Sequence, residues 1–128
     1  MSSRIPRPTD AELAILKVLW ERGPSTVREI QEVLGRSRST GYTTVLKFLQ
    51  IMTEKGLVDR DESRRTHVYR ARRSEEHTQR QLVGELAKRA FDGSAAKLVM
   101  RALSSKKASP RELAEIRRLL DELEGERS

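Results

Sequence analysis

Apolar positions recur along this chain at two periods, and the change from one to the other marks its organisation. Leu13, Leu16 and Trp20 follow one another at helical spacing, with Ile15 and Leu19 beside them. Thr9-Asp10-Ala11-Glu12 precedes them as a capping box, and Gly23-Pro24 stops the helix. A second box, Thr26-Val27-Arg28-Glu29, opens a short helix marked by Val27, Ile30, Val33 and Leu34, which Gly35 should end. A polar link follows. The third helix is expected over residues 40–55, with Val45, Leu49 and Met52 inward and Gly56 as its stop.

The period then shortens. Leu57-Val58-Asp59-Arg60 and His67-Val68-Tyr69-Arg70-Ala71 are two β-prone runs around a charged turn, the pattern of a hairpin. The turn has no Asn-Gly or Asp-Gly pair, so a long, loose tip is expected. Helical spacing returns after Ser74. One helix is predicted over 75–91, with Leu82, Leu86 and Ala90 on one face, and a short apolar one over 95–103 that includes Leu98. Ser109-Pro110-Arg111-Glu112 starts a last helix. Its Leu113, Ile116, Leu120 and Leu123 stand at spacings of 3, 4 and 3, a seam for a partner helix. The expected fold is therefore mainly α with a small β-hairpin, divided at residues 73 and 74.

Charge sharpens that division. Residues 1–73 hold 15 Lys and Arg against 9 Asp and Glu, an excess of six; residues 74–128 hold 11 against 10. The basic excess in the first part points to a polyanion partner there. The second part is small and has few large apolar side chains, so it is marginal alone, and pairing with a second copy is the simplest remedy. Without cysteine, disulfides and thiolate chemistry are excluded. No apolar run approaches the roughly 18 residues of a membrane span, and MSSRIPRPTD has no apolar signal core. A cytoplasmic protein is expected.

Candidate chemistry lies between Thr26 and Arg73. On the third helix, Thr43, Lys47, Gln50 and Glu54 share the face opposite Val45, Leu49 and Met52, with Thr44 beside them. Threonine can bond a base edge or pack on a thymine methyl, and Tyr42 and Lys47 suit phosphate oxygens. Six arginines fall between 60 and 73 (Arg60, Arg64, Arg65, Arg70, Arg72 and Arg73), and Arg64 and Arg65 at the tip could reach a phosphate or the minor groove. His67 and His77 have no ligand set around them, and no phosphate loop or nucleophile motif is present. No enzyme activity, cofactor or metal is expected.

These residues resemble a known family, the penicillinase and methicillin-resistance repressors, which are bacterial winged-helix regulators. The resemblance runs over about residues 7–124. It is carried by Thr9-Asp10-Ala11-Glu12-Leu13, Leu19-Trp20, Tyr42-Thr43-Thr44-Val45-Leu46, Glu54-Lys55-Gly56-Leu57-Val58 and Val68-Tyr69. It implies a winged helix-turn-helix over 1–73 and a helical dimerisation section over 74–128, acting as a homodimer that represses from a palindromic operator. It places DNA contacts at Ser39, Tyr42, Thr43, Thr44, Lys47, Arg64 and Arg65. The dimer seam would use Leu82, Leu86, Leu98, Leu113, Ile116, Leu120 and Leu123. The partners implied are double-stranded DNA and a second copy, with a regulatory protease or another inducer as the releasing signal. A different class of reading is an adaptor whose winged helix binds a protein. A weaker third is a small-molecule sensor, against which the sparse aromatics argue.

The chain departs from the family pattern in three places. Many relatives carry a basic residue where Ile51 stands. The Asn-Phe pair cleaved in the antibiotic-responsive members is matched by Arg101-Ala102. The copper-responsive branch uses C-terminal cysteines, absent here.

Overall fold

Thr9 and Thr26 open the first two helices in the same way. Each hydroxyl accepts from the amide three residues on, at 3.2 Å, and each matching carboxylate, Glu12 or Glu29, accepts the threonine's own amide at 2.9 Å. In the computed structural model, which describes residues 7–36 and 40–127, these boxes start α1 (Asp10–Arg22) and α2 (Val27–Gly35). The third helix, α3 (Tyr42–Lys55), begins two residues later than the spacing suggested, because Gly41 is extended at its N-cap. Gly56 ends it in the left-handed conformation, φ 80° and ψ 20°, where a side chain would be strained.

The chain then turns back as the hairpin β1 (Val58–Asp61) and β2 (Val68–Ala71), antiparallel, with Val58 opposite Ala71 and Asp61 opposite Val68. Both strands begin one residue later than the β-prone runs. The intervening residues 62–67 form the tip, and the amide of Ser63 donates to Asp61 Oδ1 at 2.9 Å. A short bridge backs the hairpin. Ser25 and Tyr69 exchange both backbone hydrogen bonds, at 2.9 and 2.8 Å, so the turn between α1 and α2 adds a rung to β2.

One core serves α1, α2, α3 and the hairpin. Ile15, Leu16 and Leu19 meet Val27, Ile30 and Leu34, and Val45, Leu49 and Met52 close over them with Leu57, Val58 and Tyr69. The inward face of α3 is fully buried at all three positions read from the sequence. Removing that much apolar surface from water is the main force holding this unit together. Trp20 adds a directional tie, its Nε1–H donating to the Arg73 carbonyl at 2.9 Å.

The chain packs as two compact units, Met1–Leu82 and Val83–Ser128. The helix α4 (Glu75–Ala90) starts in the first and ends in the second. It stops at Asp92 and Gly93, both at positive φ, where the Gly93 amide reaches back to the Ala87 carbonyl at 2.9 Å. Beyond lie α5 (Ala95–Ser105) and α6 (Pro110–Arg127). The helix α5 is two residues longer than its apolar run. The Ser109–Glu112 box at the start of α6 is present in both directions, at 2.9 and 3.1 Å.

Candidate nucleic-acid interface

The outer face of α3 follows from its inner one. With Val45, Leu49 and Met52 buried, the helical period turns Thr43, Lys47, Gln50 and Glu54 outward, and all four are exposed, as are Tyr42 and Thr44. The first turn has no side-chain cap and no acidic residue. Its amides and the positive end of the helix dipole therefore face outward without a competing carboxylate. Ser39 lies outside the described residues.

Two contacts set the angle at which α3 stands. At its far end, Lys55 Nζ donates to Glu12 Oε1 at 2.7 Å, joining the last turn of α3 to the first turn of α1. Burial pushes the Glu12 carboxyl up. The Lys55 ammonium and the Thr9 amide outweigh that and hold it below the ordinary value of 4.5. At its near end, the Arg28 guanidinium of α2 lies 6.0 Å from the centre of the Tyr42 ring, within cation–π range.

The arginines of the hairpin divide into two groups. Arg72 bonds Asp59 Oδ1 through Nε and Nη2, at 3.0 and 2.7 Å. Arg60 meets Glu62 at 2.7 Å, and Arg73 donates to the Gly56 carbonyl at 3.1 Å. These three hold the hairpin to itself and to the end of α3. Arg60, Arg72 and Arg73, three of the six arginines counted in the sequence, are therefore engaged within the fold. Arg70 is exposed and only grazes Asp59, at 4.0 Å. Arg64 and Arg65 differ: both are exposed, and among the described residues neither takes a hydrogen bond or ion pair. Asp61, beside them, is held below the usual carboxylate range by hydrogen bonds from the Ser63 hydroxyl and amide.

A groove of about 360 Å³ lies between the start of α3, the start of α2 and the hairpin. It is lined by Tyr42 and Leu46 of α3, by Arg65, Thr66, His67 and Tyr69 of the hairpin, and by Thr26 with Val27 and Arg28 of α2. Tyr42 at the start of α3 and Arg65 of the hairpin tip thus line one groove within one unit. Arg28 was not among the sequence candidates. Its signal was there to read: a cation in the first turn of a helix, where the dipole disfavours it.

None of the expected seam residues lines this groove. Leu82, Leu98, Leu113 and Ile116 are half-buried, whereas Leu86, Leu120 and Leu123 are about half exposed. Val83, Val99, Met100, Leu103 and Leu119 are exposed as well. From residue 83 on, Ala87 is the sole buried side chain among the described residues. Arg101 and Ala102 are exposed within α5. Among the described residues no group of acidic or imidazole side chains could hold a metal, and no helix is long and apolar enough to cross a membrane.

The chain is similar to known proteins in sequence and fold. Over 68 residues the chain is 38% identical to the transcriptional regulator BlaI of Mycobacterium tuberculosis, covering 52% of this chain and 49% of the other, so it spans about half the length of that curated relative. It is 24% identical over 119 residues to the penicillinase repressor of Bacillus licheniformis, covering 93% of each. The solution structure of Bacillus licheniformis BlaI, a monomeric form in complex with the blaP half-operator, superposes with a TM-score of 0.50 at 26% identity, over 57% of this chain and 89% of that one. A model of the penicillinase repressor family matches residues 8–122, and the chain belongs to that family.

Proposed function

We propose that this protein is a DNA-binding transcriptional repressor that acts in the cytoplasm as a homodimer on a palindromic operator. Residues 1–73 read the DNA and residues 74–128 pair the two copies. The observation that carries the reading is a shared groove: Tyr42, the exposed first residue of α3, and Arg65 of the hairpin tip line it together. In this arrangement α3 enters the major groove with Thr43 and Thr44 at base edges, Tyr42 and Lys47 hold flanking phosphates, and Arg64 and Arg65 reach the backbone or minor groove from the wing. Ser39 belongs to the same set through the family resemblance.

The pairing reading is supported by the exposed apolar side chains of α4, α5 and α6, which a chain in water would cover. Leu82, Leu86, Leu98, Leu113, Ile116, Leu120 and Leu123 form its contact set.

The test is competition. A duplex selected by the protein should hold it at about 150 mM salt, where most weak phosphate attraction is screened, while a scrambled duplex of equal length should not displace it. Equal displacement by both would favour the adaptor reading, in which the winged helix binds a protein.

A further inference from the structure

Arg28 has no carboxylate partner among the described residues, although carboxylates are close in sequence. The neighbouring Glu29 is committed elsewhere: Oε1 accepts the Thr26 amide at 2.9 Å, and Oε2 accepts Arg22 Nη2 at 3.0 Å. The Thr26 amide, and then the Arg22 charge, keep the Glu29 carboxyl below its ordinary pKa. Arg28 turns instead across the ring of Tyr42, at 6.0 Å. There it lines the groove together with Arg65, Thr66 and His67, and among the described residues no carboxylate lines it with them. A concave site lined by two arginines, a histidine, two tyrosines and two threonines suits a compact oxyanion with several acceptors.

We propose that this groove seats one phosphate of the DNA backbone, with Arg28 as its principal ligand and the Tyr42 ring as the surface that orients the guanidinium. The inference rests on the DNA-binding reading and extends it to a helix that carries no base-reading residue. The phosphate so held is a fixed point from which α3 is aimed, because Tyr42 begins α3 and its ring faces the same arginine at 6.0 Å. Arg65 and His67 approach that phosphate from the hairpin side, so the seat also couples the wing to the helix pair.

The test uses the full chain and its selected operator, prepared as a series of duplexes in which one phosphate at a time is replaced by a neutral methylphosphonate. The wild type is expected to weaken at one particular phosphate in each half-site. Arg28→Ala is expected to be insensitive at that phosphate and unaltered at the others. Its affinity should fall alike for operator and scrambled DNA, and the slope of log affinity against log salt should shrink by about 0.9 per subunit. Arg28→Lys, which keeps the charge, should restore the slope.

An unchanged slope and an unchanged methylphosphonate profile in Arg28→Ala would overturn the seat while leaving the repressor reading intact. A lowered melting temperature with altered response at every phosphate would make Arg28 a structural pin for α3 and would also overturn it. If the wild type selects no sequence at all, the repressor reading itself fails, and the seat with it.

Discussion

Lys55 Nζ stands 2.7 Å from Glu12 Oε1, and the two are 43 residues apart in sequence. Glu12 is 3% exposed and Lys55 30%, so the pair is shielded on one side only. It fixes the last turn of the groove-facing helix against the first turn of α1. Lys55→Ala is expected to cost about 1–3 kcal/mol, because it leaves a buried carboxylate with its caps but without its counter-charge. The sign of the pH effect follows from the lowered pKa of Glu12. A depressed carboxyl stabilises the fold above its ordinary value of 4.5 and loses that contribution as pH falls through its folded value. Denaturation curves should therefore show the full cost of Lys55→Ala at pH 7 and a shrinking difference as pH falls below 4.5 and through the folded value. A cost that did not shrink would show that the charge pair is not its source.

Gly56 holds φ at 80°, and a Cβ built there would lie 2.9 Å from Arg72 Nη1. The guanidinium is the far end of a flexible chain and can move, so backbone strain dominates. Gly56→Ala should cost about 1–2 kcal/mol. The shifted Arg72 would also loosen its grip on Asp59. Thermal melting measures the first effect. Replacing Arg72 by alanine in the same background should add little if the two share one cause.

The capped helix starts at Thr9, Thr26 and Ser109 and the inward face of α3 could be read directly from the sequence, because capping boxes and the 3.6-residue period are local signals. Thr9, Thr26 and Ser109 each do what their neighbours three residues on imply. The bridge between Ser25 and Tyr69 could not be read that way, since it pairs a turn with a strand 44 positions later. The arginines show the same limit. Six of them between 60 and 73 suggest a basic hairpin. Only the fold reveals that Asp59 claims Arg72 and the Gly56 carbonyl claims Arg73, leaving Arg64 and Arg65 at the tip. Arg28 escaped for the converse reason: it lies on the helix before the polar one, and its place beside Tyr42 is a matter of packing.

Thr44 and Arg65 should fail in different ways. Thr44 is exposed beside the outer face of α3, and in the proposed complex it meets a base edge. Thr44→Ala should relax preference at one base position per half-site, a change worth about 1–3 kcal/mol of discrimination. Arg65→Ala should weaken all duplexes by similar factors, because phosphate contacts carry no sequence information. Binding to a panel of single-base variants separates the two. A sequence-confined loss in Arg65→Ala, or unchanged preference in Thr44→Ala, would reverse the assignment.

Leu120 is 53% exposed on α6. In the proposed dimer it is covered, so Leu120→Glu would bury an unpaired charge and split the pair. Sedimentation at micromolar concentration should report the mass of one chain for the variant and of two for the wild type. A variant that kept the doubled mass would remove the α6 seam from the interface.

Selection of bound sequences from a random duplex library addresses the central claim most directly. The account predicts enrichment of a two-fold symmetric sequence, its half-sites repeating at about 34–36 Å or a multiple of that distance. A library that emerged unenriched, with all duplexes bound alike, would contradict it.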